Sequence, residues 1–267
     1  MAWYESPAPG RLAPGVPPPR SPIPRAVWGV MLIGGGVGAA CGMALMAARA
    51  STVQSVEMTC PYDGTPFTAT LQGSGTQFGK TLDYRPYGAI IAPLPLAVCP
   101  TNGFVFYRRD FKPDELERMR PFVLSDAYQA LKGETPHYRA AWLKQRAGEP
   151  ALSVTWTLLE ASWEAPAGSD QYRRYAGEVL ARLPADIAAL VDDKKAPFRL
   201  LQGELLRRLG RFDEAGAVFA ALKAEGAAQG NEVRVADFQL GLVARRDAGS
   251  YRMIDALGTD APGTPKP

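Results

Sequence analysis

Apolar positions along this chain follow three successive patterns. From Ala26 to Ala48 they are continuous, and the segment AVWGVMLIGGGVGAACGMALMAA carries no charge. Between residues 55 and 110 they alternate in short runs bounded by Gly and Pro. The runs Ser55–Thr59, Phe67–Leu71, Leu94–Val98 and Phe104–Tyr107 predict short β-strands. From Lys112 onward the period becomes helical. It predicts helices over 113–119, 124–132, 136–147, 151–163, 169–183, 194–209, 212–225 and 231–247, with breaks at Gly133, Gly148 to Pro150, Pro166 to Gly168, Gly210 and Gly226 to Gly230. Eight prolines in residues 1–25 predict a disordered arm, and Pro262, Pro265 and Pro267 place a frayed tail over 258–267. The expected fold is therefore α+β and mostly α. A small antiparallel β ribbon over 55–110 precedes a helical domain over 112–257, behind a transmembrane helix at 26–48.

Charge gives that helix a direction. Twenty-three residues at a helical rise reach about 34 Å, enough to cross a bilayer core. Arg20 and Arg25 precede the segment and only Arg49 follows closely, so the positive-inside rule puts the N-terminus in the cytoplasm and residues 51–267 in an extracytoplasmic, periplasmic space. Ala48-Arg49-Ala50 resembles a signal-peptidase site, but the apolar stretch is longer than a signal peptide needs, which favours a retained anchor. Gly34, Gly38 and Gly42 lie on one helix face, a spacing that lets two membrane helices pack as a homodimer. The net charge of +3 comes entirely from residues 1–50, and the remainder balances at 26 basic against 26 acidic residues. Such a body carries no electrostatic footprint for nucleic acid.

Two turns share an unusual pattern: Cys60-Pro-Tyr-Asp-Gly64 and Cys99-Pro-Thr-Asn-Gly103. Each is a zinc-knuckle turn, C-P-x-C-G, with its second cysteine replaced, here by Asp63 and Asn102. With Leu82-Asp-Tyr-Arg-Pro-Tyr87, Ala97-Val-Cys-Pro100 and Gly203-Glu-Leu-Leu-Arg-Arg-Leu-Gly210, these turns make residues from about 57 to 225 resemble the bacterial domain-of-unknown-function 2225 family. The resemblance implies a four-cysteine ribbon followed by helices like those of tetratricopeptide repeats. Because two of the four thiolates are missing, no metal or other cofactor is expected, with zinc retention the minor alternative. The ribbon it implies sets ligands of opposing turns close together. In an oxidising compartment a Cys60–Cys99 disulfide is then expected to replace zinc, with unpaired buried thiols as the alternative. A reversed topology would keep the same thiols reduced.

Gln202 to Leu222 matches one tetratricopeptide repeat. Gly203 is the small site of its first helix, Leu206 packs, Gly210 turns, and Phe212, Ala215 and Phe219 belong to its second helix. Trp156, Trp163, Tyr172 and Phe238 are expected as core aromatics of neighbouring units. Catalysis finds little support. Gly73 to Thr81 looks like a phosphate loop, but its glycine spacing fails and Pro86 follows, so a glycine-rich hairpin tip is expected there. His137, the only histidine, is expected at a solvated or capping position near a helix start, and Glu160, Glu164 and Asp170 are scattered acids. The expected function is a non-enzymatic, membrane-anchored module that binds a protein partner on its helical surface. The alternative is a small-ligand site or enzyme at the ribbon–helix junction around Asp83, Arg85 and Tyr87.

Overall fold

The computed structural model describes residues 51–258. The proline-rich arm, the apolar segment with Gly34, Gly38 and Gly42, and the tail from 259 lie outside the described residues. Among the residues described, no helix is long and apolar enough to cross a membrane. The β elements and the helices belong to one compact unit.

Among the described residues, three two-stranded antiparallel ladders come first. β1 (Thr52–Thr59) pairs with β2 (Pro66–Ser74), β3 (Thr76–Lys80) with β4 (Pro86–Ala89), and β5 (Ala97–Val98) with β6 (Val105–Phe106). Alternation sets the faces of the first ladder: Val56 opposes Ala69 and Met58 opposes Phe67 on the inner side. Glu57 and Thr68 oppose each other on the outer side and share a hydrogen bond of 2.7 Å. The stretch 73–81 differs from expectation, since it holds the end of β2 and all of β3, broken only at Gly75, rather than a hairpin tip. Its glycines permit close strand approach: a Cβ on Gly79 would stand 2.7 Å from Tyr87 Oη, and one on Gly75 2.7 Å from Ala89 O.

The helices follow in chain order: α1 (Pro113–Val123), α2 (Asp126–Gln129) running into a 3-10 turn, α3 (Pro136–Arg146), α4 (Ala151–Glu164) and α5 (Asp170–Ala188). After a second 3-10 turn at Asp192–Lys194 come α6 (Lys195–Arg208), α7 (Phe212–Ala224), α8 (Asn231–Ala244) and the short α9 (Met253–Leu257). Side-chain caps mark several starts: Ser125, Thr135 and Ser169 accept from the backbone N–H of Tyr128, Tyr138 and Tyr172. The helices expected over 113–119 and 169–183 run on through Pro121 and Pro184. Each proline removes one intrahelical donor. Burial of Val123 after the first and Asp186 after the second shows that packing against the body continues past the break.

Side chains collect in two cores. The smaller joins Cys60, Cys99 and Phe104 of the turns to Met119, Val123, Tyr128 and Leu143 of α1 to α3. The larger fills the space among α3 to α8 and takes in Leu82 from the segment after β3. Trp163 and Tyr172 are buried there, with Trp156 and Phe238 packed against it as partly exposed neighbours.

The α6–α7 pair shows how close packing is written into sequence. Phe212, Ala215, Phe219 and Leu222 recur along one face of α7 and are all buried. Gly210, at φ +77°, turns the chain between the helices. A Cβ on Gly203 would run into the Phe219 ring, so glycine is what lets α7 lie against α6. Gly203→Val is expected to cost about 3 kcal/mol through overpacking. Equilibrium urea unfolding should show the loss, and an unchanged midpoint would mean that α7 can slide away freely.

Candidate functional site

The two turns fold alike. In the first, Cys60 N–H donates to Thr65 O at 2.8 Å and Gly64 N–H to Cys60 O at 3.1 Å. The second repeats this, with Cys99 N–H on Phe104 O at 2.8 Å and Gly103 N–H on Cys99 O at 3.0 Å. Gly64 and Gly103 occupy the left-handed region at φ +70° and +74°, which closes each turn without a Cβ penalty. Cys60 and Cys99 are joined as a disulfide, with S–S 2.14 Å and Cα–Cα 5.3 Å, and both are buried.

Asp63 and Asn102, at the same place in each turn, also act as a pair. Asp63 Oδ1 accepts from Thr65 N–H at 3.0 Å, and Asn102 Oδ1 accepts from Phe104 N–H at 3.0 Å. Both cap the amide two residues on, an Asx turn. Asn102 Nδ2 then crosses to the first turn, donating to Pro61 O at 2.7 Å and Asp63 Oδ2 at 3.2 Å. The Thr101 hydroxyl donates to the same Oδ2 at 2.5 Å. This hydroxyl and the Thr65 amide hold the Asp63 carboxyl below its usual range. One covalent bond and one polar bridge thus link the two turns.

These residues do not fit a zinc ion in this oxidation state. The ligand atoms of Cys60, Asp63 and Cys99 lie within 4.8 Å of one another, but the two sulfurs are bonded to each other and offer no thiolate. Asn102 spends its oxygen on Phe104 N–H and turns its N–H groups toward Asp63 and Pro61. Asn102→Ala should therefore cost about 2 kcal/mol, because it strands the buried Phe104 amide and cuts the polar bridge. Thermal melts under oxidising conditions check this, and an unchanged midpoint would mean that the disulfide alone holds the turns.

Helices fasten the turns to the body. Tyr62 Oη donates to Leu116 O at 3.0 Å, Tyr128 Oη to Gly103 O at 2.8 Å, and Gln129 Nε2 to Asn102 O at 2.8 Å. Arg139 Nη2 adds a further bond to Gly103 O. His137 departs from expectation, because it is buried rather than solvated. Its ring Nδ1 meets Glu164 Oε1 at 2.8 Å and its backbone N–H donates to Glu164 Oε2 at 3.1 Å, a two-point clamp between α3 and α4. Glu160 Oε2 stands 3.9 Å from the other ring nitrogen, and burial raises the Glu160 carboxyl. Asp170 stays exposed and pairs with Arg173.

The segment Asp83, Arg85 and Tyr87 splits between two environments. Asp83 is buried and accepts from Arg208 Nη1 at 2.8 Å and from the Thr81 hydroxyl. Arg85 and Tyr87 instead line a cleft of about 410 Å³ that Thr81, Ile90, Arg208 and Ser250 also wall. The same helix holds a second ion pair: Arg207, fully buried, meets both oxygens of Glu204 at 2.8 Å. It also donates to Asp247 O and, at 2.8 Å, to Gly249 O. In the sequence Glu204, Arg207 and Arg208 stand only as part of the segment 203–210 and carry no ion-pairing role, because Glu-x-x-Arg spacing on a helix usually marks a solvated face.

Compared with protein-family models, curated proteins and solved structures, the chain matches none.

Proposed function

We propose that this chain is a membrane-anchored, non-enzymatic interaction module whose folded body works outside the cytoplasm. The single observation that carries the reading is the Cys60–Cys99 disulfide in the position where the resembling ribbon family would hold zinc. Disulfides persist where thiols are kept oxidised, which agrees with the charge asymmetry flanking residues 26–48. The helical half supports the interaction role. Close packing of α6 on α7 through Gly203 and Phe219 suits a tetratricopeptide-like pair, and such pairs present grooves to protein partners. A groove of about 460 Å³ runs among α5, α6 and α7, with Leu180, Pro184, Leu206 and Val218 in its wall. No partner other than a protein on this surface, and a second copy through Gly34, Gly38 and Gly42, is part of the reading.

Two measurements on the full chain test it. A reporter fused after Pro267 should be active only in an extracytoplasmic compartment, and cytoplasmic activity would overturn the topology. A photo-crosslinking residue at Val218 should trap a protein partner in cells, while one at the exposed Arg118 should not. Equal trapping at both positions, or none at Val218, would remove the groove as the contact surface.

A further inference from the structure

We propose that the cleft between the β3–β4 ladder and the end of α6 binds the oxyanion group of a small molecule, a carboxylate or a phosphate, on the guanidinium groups of Arg85 and Arg208. The inference does not rest on the interaction reading, which concerns a groove on other helices.

The walls carry the argument. Among the described residues lining the cleft, Arg85 and Arg208 are the charged ones and none is acidic. The carboxylate that pairs with Arg208, Asp83, is buried and already takes Arg208 Nη1 and the Thr81 hydroxyl. Arg85 is held in place from one side: its Nε and Nη2 both donate to Ala92 O, at 3.1 and 2.9 Å. That bond engages one fork of the planar guanidinium and leaves Nη1 with no protein partner among the described residues. A guanidinium fixed by one edge loses little further freedom when its other edge meets an oxyanion. Arg208 is oriented by its ion pair with Asp83, and its Nε, itself buried, has no hydrogen-bond partner among the described residues.

Size and lining fix the class of ligand. A volume of about 410 Å³ leaves room for a small metabolite. Ser250 adds a hydroxyl, while Tyr87 and Ile90 add apolar wall, so the ligand would carry a short apolar or hydroxylated body beside its oxyanion.

The test uses the purified full chain and follows its melting temperature with inorganic phosphate, with succinate, and with sodium chloride at matched ionic strength. Phosphate, succinate or both should raise the midpoint saturably beyond the chloride control. The more effective of the two identifies the oxyanion. Arg85→Gln should weaken that binding about tenfold, the loss expected for one charge-assisted hydrogen-bonded contact. Ile90→Glu, which places a carboxylate in the cleft and leaves the Arg85 bonds alone, should abolish binding. It keeps the test decisive if Arg85→Gln folds poorly. Shifts no larger than those with chloride, or equal shifts in the original chain and in Ile90→Glu, would overturn the proposal.

Discussion

Replacing both Cys60 and Cys99 by alanine is expected to lower the stability of the folded body by about 4 kcal/mol. The bridge closes a loop with a sequence separation of 39, and the chain-entropy cost of leaving such a loop open in the unfolded chain gives that figure. For a body of this size the loss corresponds to roughly 10 °C in melting temperature. It should be reproduced by adding dithiothreitol to the original chain, since reduction opens the same loop. The smaller core would feel the change first. Cys60 and Cys99 pack there against Phe104 and Tyr128, whereas the larger core contains neither sulfur. Equal melting curves with and without reductant would mean that the Asp63–Asn102 bridge and the helix anchors hold the turns unaided.

Arg207→Met should be comparably damaging, at about 3–5 kcal/mol, because it leaves Glu204 buried without its counter-charge. Two carbonyls, of Asp247 and Gly249, would lose their donor as well. The effect should depend on pH. Burial already raises the Glu204 carboxyl from an ordinary 4.5 to about 7 in the folded protein. Between those values the folded state holds a proton that the unfolded chain has released, so this group's contribution makes stability fall as pH rises from about 4.5 through 7 and then level off. Without Arg207 the carboxyl is pushed higher still. The fall then continues to higher pH, and the variant's deficit should be larger at pH 8 than at pH 5. Denaturant titrations at both pH values check this. A deficit independent of pH would mean that the lost carbonyl bonds, rather than the stranded carboxylate, cause the damage.

Local chemistry made parts of this fold legible in the sequence. Ser125, Thr135 and Ser169 are capping types, and Pro113 and Pro136 suit a first helical turn, so helix starts fell close to where they occur. The paired turns were legible because Cys-Pro and the closing glycine constrain the backbone tightly, and the expected Cys60–Cys99 pairing is present. Features set by distant partners were not legible. Pro121 and Pro184 signal helix ends locally, yet packing carries both helices past them. Gly75 and Gly79 look like loop residues until Tyr87 and Ala89 lie across from them. His137 and Arg207 look solvated until Glu164 and the chain around Gly249 cover them. In the cleft, Arg85 and Tyr87 could be named from sequence, but Arg208 could not. It lies more than a hundred residues away along the chain, and only folding brings it to Asp83.

The bridge between the turns also decides how the body takes a mechanical load. Tension applied at Ser51 acts on the open end of the β1–β2 ladder, where Thr52 lies opposite Ser74. In that geometry an antiparallel ladder peels one residue pair at a time and resists only weakly. Peeling reaches Thr59, opposite Pro66, and stops at Cys60, because the next link in line is covalent. From there the force passes through sulfur to Cys99, and on to α2 and α3 through the bonds that Gln129, Tyr128 and Arg139 make to Asn102 and Gly103. An oxidised body should extend by little more than one strand before the helices bear the load. A reduced one should let the first turn unravel as well.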